Sequence, residues 1–235
     1  MYEACILVHV EILVLVGGTN DQSNSDTLAD CFIEGATSDP KTQATKIRLR
    51  DLSIEHFSMK FYDQTADQGA DFSRVKSLIE EADGVLIASP IWNFSVPGHL
   101  KNLIDRMGSF CLDGESRSLG MLSSKPFYLL LTGGTPMAAW TGLQRRTVSH
   151  LPVSIRYFGA TVIGTHYEPR CTKGKGQFGL VVDGRPDSQA AVRAKGKHFA
   201  EVVKTFAETG KLPLKERFLV WFFRTGQKIK KALGL

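Results

Sequence analysis

Four cysteines are few for 235 residues, and Cys5, Cys31, Cys111 and Cys171 stand far apart with no Cys-x-x-Cys pair. That spacing supplies neither a zinc site nor an iron–sulfur cluster with its ligands, so no metal is expected and the thiols are expected to stay reduced. No stretch reaches the ~18 uncharged apolar residues of a membrane span. Met1 to Val16 is apolar, but it lacks a basic leading segment and is interrupted by Glu3 and Glu11, so it does not read as a signal peptide and a cytoplasmic protein is expected. Gly-x-x-x-x-Gly-Lys-Ser/Thr and Gly-x-Gly-x-x-Gly, the loops for nucleoside triphosphates and dinucleotides, are missing. So is Gly-x-Ser-x-Gly, the marker of a nucleophile elbow. A net charge of +5 does not point to nucleic acid, because much of the excess lies in residues 211–235, where Lys211, Lys215, Arg217, Arg224, Lys228, Lys230 and Lys231 face only Glu216.

What is present is alternation. Short β-branched or leucine-rich runs at Ile12–Val16, Thr45–Leu49, Gly84–Ala88, Phe127–Leu131 and Thr161–Gly164 read as five buried parallel strands. Between and after them, Ser25–Gly35, Ala70–Ala82, Pro97–Met107, Gly142–Tyr157 and Asp187–Glu208 carry apolar residues at three- and four-residue spacing, which reads as helices. Pro97 suits the first helical turn, where its missing N–H has no partner to lose. The pattern predicts an α/β fold, a doubly wound five-stranded parallel sheet with helices on both faces. Residues 1–210 are expected to form this domain and 211–235 a basic, aromatic-rich helical extension.

Ligands of such sheets bind beyond the carboxyl ends of the strands, which singles out three loops. The first, Gly17-Gly18-Thr19-Asn20-Asp21-Gln22-Ser23-Asn24-Ser25, runs into a helix N-terminus, where unpaired N–H groups and the positive dipole end favour an anion. Thr19, Ser23, Asn24 and Ser25 can each donate to a phosphate, and the absence of Lys and Arg suits a phosphomonoester held by neutral donors. A Ser/Asn cap on a Gly-rich turn explains the same residues. The second loop, Ser89-Pro90-Ile91-Trp92-Asn93-Phe94-Ser95-Val96-Pro97, is a stiff aromatic wall suited to a planar ring, or else a closure of the core. The third is Thr132-Gly133-Gly134-Thr135, whose glycines let bare backbone approach a ring closely enough to donate an N–H.

The run Pro90-Ile91-Trp92-Asn93-Phe94-Ser95-Val96-Pro97-Gly98-His99-Leu100-Lys101-Asn102-Leu103-Ile104-Asp105 resembles the flavin-ring loop and following helix of the FMN-dependent NADH-azoreductases and quinone oxidoreductases, within the wider NAD(P)H-dependent FMN reductase group. Ser23-Asn24-Ser25-Asp26-Thr27-Leu28-Ala29 is similar to that family's phosphate loop, and the likeness runs through Gly108-Ser109-Phe110, Gly120-Met121-Leu122 and Ser124-Lys125-Pro126 to the third loop. It covers roughly residues 11–165, with Thr19 and Asn20 standing where the family usually has Ser and Arg. The resemblance implies a flavodoxin-like fold, FMN as cofactor and NADH or NADPH as co-substrate. It places Ser23 and Ser25 at the phosphate, Ile91, Trp92, Asn93 and Phe94 along the isoalloxazine, and Thr132, Gly133 and Gly134 at its pyrimidine side, with Thr19, Asn24 and Pro90 completing the candidate set. It also implies a ping-pong transfer of hydride to a quinone, azo compound or free flavin, with no catalytic side chain, and a homodimer. A flavodoxin-type electron carrier and a cofactor-less binding protein of the same fold are the alternatives.

Other residues read as structural: His99 as a packed helix residue, His150, His166 and His198 as histidines without acidic partners, and Asp105–Arg106 and Arg145–Arg146 as solvated helix faces. Residues 169–186, with four glycines, read as a long loop serving as a lid or a dimer arm. The 213–235 helix, with Phe218, Leu219, Trp221, Phe222 and Ile229, is expected to pack on its own domain or a second subunit. Weak contact with a membrane surface is the other reading.

Overall fold

The computed structural model describes residues 9–63 and 65–232. The N-terminal reading above, including Cys5, therefore falls largely outside the described residues. Five parallel strands, β1 (Val10–Val16), β2 (Thr42–Arg48), β3 (Gly84–Pro90), β4 (Pro126–Thr132) and β5 (Thr161–Glu168), form one sheet in the order β2-β1-β3-β4-β5. The three inner strands, β1, β3 and β4, have the alternation a doubly covered sheet demands. In β1, Ile12, Val14 and Val16 enter one core while Leu13 and Leu15 enter the other.

On the first face lie α1 (Asn24–Ala36) and, late in the chain, α5 (Pro186–Thr209), whose Leu28, Phe32, Val192, Phe199 and Val203 close over Leu86 and Leu130. The other face is covered by α2 (Ala70–Glu81), α3 (Gly98–Cys111) and α4 (His150–Tyr157), through Val75, Ile79, Leu100, Leu103, Met107, Leu151 and Ile155. Each such side chain contributes about 1.5–3 kcal/mol by leaving water. A last helix, α6 (Leu214–Ala232), lies against α4 and the β5 edge. Helices α1 and α5 approach until backbone touches backbone: a Cβ on Gly35 would lie 1.9 Å from the Arg193 carbonyl oxygen, and one on Gly196 would lie 2.0 Å from that of Phe32. This contact fixes α1, and with it the mouth of the first loop.

All five predicted strands and the doubly wound architecture are present. Three readings change. Pro97 precedes α3 as its N-cap, with extended backbone, and its carbonyl accepts from Lys101 N–H. The helix expected over 142–157 is broken: short turns flank a five-residue π-helix, Trp140–Gln144, before α4 begins at His150. Arg106 is not solvated but completely buried, sandwiched between Phe61 and Phe72 at 3.3 and 4.1 Å from the ring centres. Its guanidinium donates to the carbonyls of Glu55 and Gln68, both at 2.9 Å, and so pins the irregular 52–69 segment to α3. Asp105 pairs instead with Lys101, one turn back, at 2.6 Å. Among the described residues no helix is long and apolar enough to cross a membrane.

Candidate active site

Strand order reverses between β1 and β3, which start connections to opposite sides of the sheet and leave a crevice at their carboxyl ends. The three loops singled out above meet there. Thr19, Ser23, Asn24, Pro90, Ile91, Trp92, Thr132, Gly133 and Gly134 line one cleft of about 460 Å³, counting its open mouth. It continues past Asn20, Ile91, Trp92 and Asn93 into a shallower recess of about 680 Å³.

At the inner end, helix α1 begins with Asn24, and the N–H groups of Asn24, Ser25 and Asp26 have no partner among the described residues. The Ser23 and Ser25 hydroxyls lie 2.9 Å apart and are both buried. Gly18 is what leaves room for them: a Cβ there would sit 2.1 Å from Ser23 Oγ. Ser23 faces the cleft, whereas Ser25, fully buried, backs it. The loop carries no cation of its own, but β2 delivers them in space. Arg50, just past the end of β2, donates to the Thr19 carbonyl at 3.1 Å and pairs with Asp21 at 2.9 Å. Lys46 and Arg48 engage Asp26 in the first turn of α1. Burial alone would raise the Asp26 pKa, but hydrogen bonds from these two cations outweigh it and keep the carboxylate charged.

The ring loop is a tight two-residue turn. Trp92 and Ser95 exchange both backbone hydrogen bonds, 2.8 and 2.9 Å, and the residues between them, Asn93 and Phe94, have φ of 49° and 63°. Both lie in the left-handed region that a type I′ turn requires. Asn tolerates that region, whereas Phe is strained in it. The N–H groups of Ile91, Trp92 and Ser95 are paired within the chain, which leaves those of Asn93 and Phe94 unpaired among the described residues. The Phe94 ring is 60% exposed at the tip and lines neither recess.

Two details of the expected site change. The Asn24 side chain does not point a donor at the cleft. Its Nδ2 donates to the Gly179 carbonyl at 2.9 Å, and its Oδ1 accepts from the N–H groups of Val181 and Val182 at 2.9 and 3.2 Å. Gly133 does not offer its N–H to a ligand either, since that group donates to the Glu168 carbonyl. Glycine is needed at 133 because a Cβ would lie 2.6 Å from the Tyr167 hydroxyl. Gly134 N–H remains without a partner among the described residues.

Residues that the sequence did not single out come mainly from the 169–185 segment: Cys171, Thr172, Phe178 and Gly179 line the cleft, with Gln22 from the first loop. Phe178 meets Trp92 edge-on, ring centres 6.5 Å apart. Nothing local marks these residues beyond the glycines that made the segment read as a lid. The segment is anchored by buried Glu168, which accepts from Arg185 and Ser188, both at 2.9 Å, and faces His166 at 3.4 Å. His166 thus has an acidic partner two residues along its own strand, contrary to the sequence reading, and exposed His198 has one in Glu201. Burial would raise Glu168, but the nearby His166 and hydrogen bonds from Ser188 and Arg185 prevail and hold it below the usual range. Burial pushes the Cys171 thiol up to about 12, so it stays protonated and unreactive. His99 packs behind the first loop. Burial lowers its pKa, with a hydrogen bond to the Gly17 backbone opposing, so it is neutral near pH 7 and does not supply a charge to the cleft.

This is an α/β protein of the flavodoxin type, with an anion cradle and an aromatic platform joined at the topological switch point. The chain belongs to the NADPH-dependent FMN reductase family, whose model matches residues 10–167. It is 30% identical over 124 residues to an FMN-dependent NADH:quinone oxidoreductase of Vibrio parahaemolyticus, a match covering 48% of this chain and 64% of the relative. It is 31% identical over 107 residues to another, from Bradyrhizobium diazoefficiens, covering 42% and 50%. The chain thus spans between half and two thirds of these relatives' length. Among solved structures, it superposes on an NAD(P)H:quinone oxidoreductase from Methanothermobacter marburgensis with a TM-score of 0.64 at 15% identity, covering 81% of this chain and 96% of that one. For an azoreductase from Bacillus anthracis the TM-score is 0.57 at 16% identity, with 84% and 100% covered. These two likenesses carry the fold.

The residues present fit FMN. A phosphomonoester suits the α1 N-terminus, where Ser23 faces the cleft beside unpaired N–H groups. The polar edge of a ring suits the unpaired amides of Asn93, Phe94 and Gly134.

Proposed function

We propose that this protein is an FMN-dependent NAD(P)H oxidoreductase that reduces a quinone, an azo compound or free flavin. The observation that carries the reading is the single continuous cleft at the β1/β3 switch point, anionic-ligand chemistry at one end and aromatic wall at the other. In this reading the N–H groups at the start of α1, with Ser23 and Thr19, hold the phosphate. Pro90, Ile91 and Trp92 set the plane of the ring, and Asn93 N–H and Gly134 N–H hydrogen-bond its polar edge. Held there, FMN would supply the hydride-accepting and two-electron-donating chemistry between NAD(P)H and the acceptor. Co-substrate and acceptor use the same open recess beside Trp92 in turn, which makes the kinetics ping-pong. No acid or base side chain is required: Cys171 is held protonated, and His99 is turned to the Gly17 backbone.

The assembly proposed is a homodimer. Phe94, exposed in the loop after β3, and Met137 and Leu143, exposed in the turns after β4, are the apolar surface that a second copy would cover. The compartment proposed is the reducing cytoplasm, in which Cys31, Cys111 and Cys171 stay as the free thiols seen here. Initial rates measured with NADH or NADPH against a water-soluble quinone test the mechanism. Parallel double-reciprocal lines are expected; converging lines would mean that both substrates bind together. Bound flavin that NAD(P)H does not reduce would identify a carrier instead.

A further inference from the structure

Among its described side chains, helix α6 leaves an apolar stripe uncovered. Gln227 is buried and donates to the Tyr157 carbonyl at 2.7 Å, and Glu216, on the same face, lies close enough to Arg156 to act on its charge. On the opposite side, Leu214, Phe218, Trp221 and Ile229, with Thr225 among them, follow one another in three- and four-residue steps and so form one stripe. The apolar members of the stripe are exposed, Phe218 at 64% and Trp221 at 62%, with Phe222 beside them. Along one flank runs a second stripe, Arg217, Arg224 and Lys228, none of which has a carboxylate partner among the described residues. These three cations, with Trp221, Thr225 and Ser124, wall an open groove of about 790 Å³ that has no acidic residue in its lining.

We infer that α6 docks the protein on an anionic membrane surface, with Phe218 and Trp221 entering the headgroup boundary and Arg217, Arg224 and Lys228 taking lipid phosphates in the adjoining groove. Charge decides between this occupant and a second copy of the chain. Pairing two α6 stripes would bring six unpartnered cations together with nothing to neutralise them, whereas an anionic bilayer supplies the missing charge. An apolar face flanked by Arg and Lys, with Trp at the border, is what an interfacial helix needs. The helix is too short of apolar residues to cross. Docking of this kind does not depend on what the cleft binds.

The experiment is co-sedimentation of the full chain with vesicles of pure phosphatidylcholine and of phosphatidylcholine containing about one-third phosphatidylserine. The expected result is binding to the anionic vesicles at least about tenfold stronger than to the neutral ones, weakening as salt is raised. The triple variant R217Q/R224Q/K228Q is expected to lose about fivefold per charge on anionic vesicles only. Phe218→Ser with Trp221→Ser is expected to lose at least about tenfold on both vesicle types. Since all five side chains are exposed, the thermal midpoints of both variants are expected to match the parent protein, which separates lost docking from lost folding. Equal binding to both vesicle types, or none, would overturn the inference. So would self-association in velocity sedimentation that disappears in the Phe218/Trp221 variant while vesicle binding is absent, because α6 would then be a subunit contact.

Discussion

Replacing Asn24 with Ala removes three hydrogen bonds that join the first turn of α1 to a segment more than 150 residues away: one to the Gly179 carbonyl and two from Val181 and Val182 N–H. At about 1 kcal/mol net apiece, and with water replacing part of what is lost at this half-buried place, the cost is expected at about 2 kcal/mol. For a chain of this length that is a fall of roughly 4–8 °C in thermal midpoint. The local effect is larger than the global one. The 169–185 segment supplies Cys171, Thr172, Phe178 and Gly179 to the cleft, so releasing it removes one wall. Amide exchange over residues 178–183 is expected to quicken by about tenfold or more, and bound FMN to dissociate faster, read from the recovery of free-flavin fluorescence. Asn24→Asp separates tether from charge. It keeps the acceptor for Val181 and Val182 but turns a carboxylate oxygen toward the Gly179 carbonyl and sets a negative charge beside the proposed phosphate position. Stability should recover in part while FMN binding weakens further. Unchanged exchange over 178–183 and an unchanged FMN dissociation rate in Asn24→Ala would refute the tether.

Phe94 holds a left-handed conformation that costs an L-residue about 1–2 kcal/mol, so Phe94→Gly is expected to raise the urea midpoint by the equivalent of about 1 kcal/mol; a lower midpoint would show that the turn is not strained. Arg106→Ala leaves the Gln68 carbonyl without a donor, leaves the Glu55 carbonyl only its 3.3 Å hydrogen bond from Asn102 Nδ2, and empties the slot between Phe61 and Phe72. A loss of about 3–5 kcal/mol in urea unfolding is expected, and Arg106→Lys should not restore it, because a compact ammonium cannot stack between two rings. Glu168 has a folded-state pKa below its ordinary 4.5. Its contribution is therefore complete above that value and disappears as pH falls through the folded pKa. The thermal midpoint should drop on acidification below about pH 4.5, and Glu168→Gln should lower the midpoint at neutral pH while flattening this acid limb. A parallel acid limb in the variant would assign the pH dependence to other carboxylates.

The sheet was readable because burial on both faces leaves uninterrupted apolar runs, as in Ile12–Val16 and Phe127–Leu131. The far half of β5 was not, since Thr165, His166 and Glu168 lie on a less covered edge strand and look like a loop. The broken helix before α4 is set by contacts its own residues do not announce. Trp140 stacks on Tyr167 at 4.2 Å, and Gln144 is drawn to the Thr135 hydroxyl. Nine of the twelve candidate site residues gather in one cleft, because their loops leave neighbouring strands at the same edge. What local sequence hides is the partner of each group. Gly133 is glycine on account of Tyr167, Asn24 faces Gly179, and Arg50 reaches the first loop from just past the end of β2. Arg106 looked solvated because nothing in a helical spacing shows that two phenylalanines from elsewhere enclose it.

The central claim is that the cleft holds FMN in a form that a nicotinamide can reduce. Purified protein is mixed with FMN, desalted, and its visible absorption recorded before and after NADH or NADPH is added under argon. Flavin bands that survive desalting and bleach within the turnover time are predicted; protein that emerges colourless would contradict the claim.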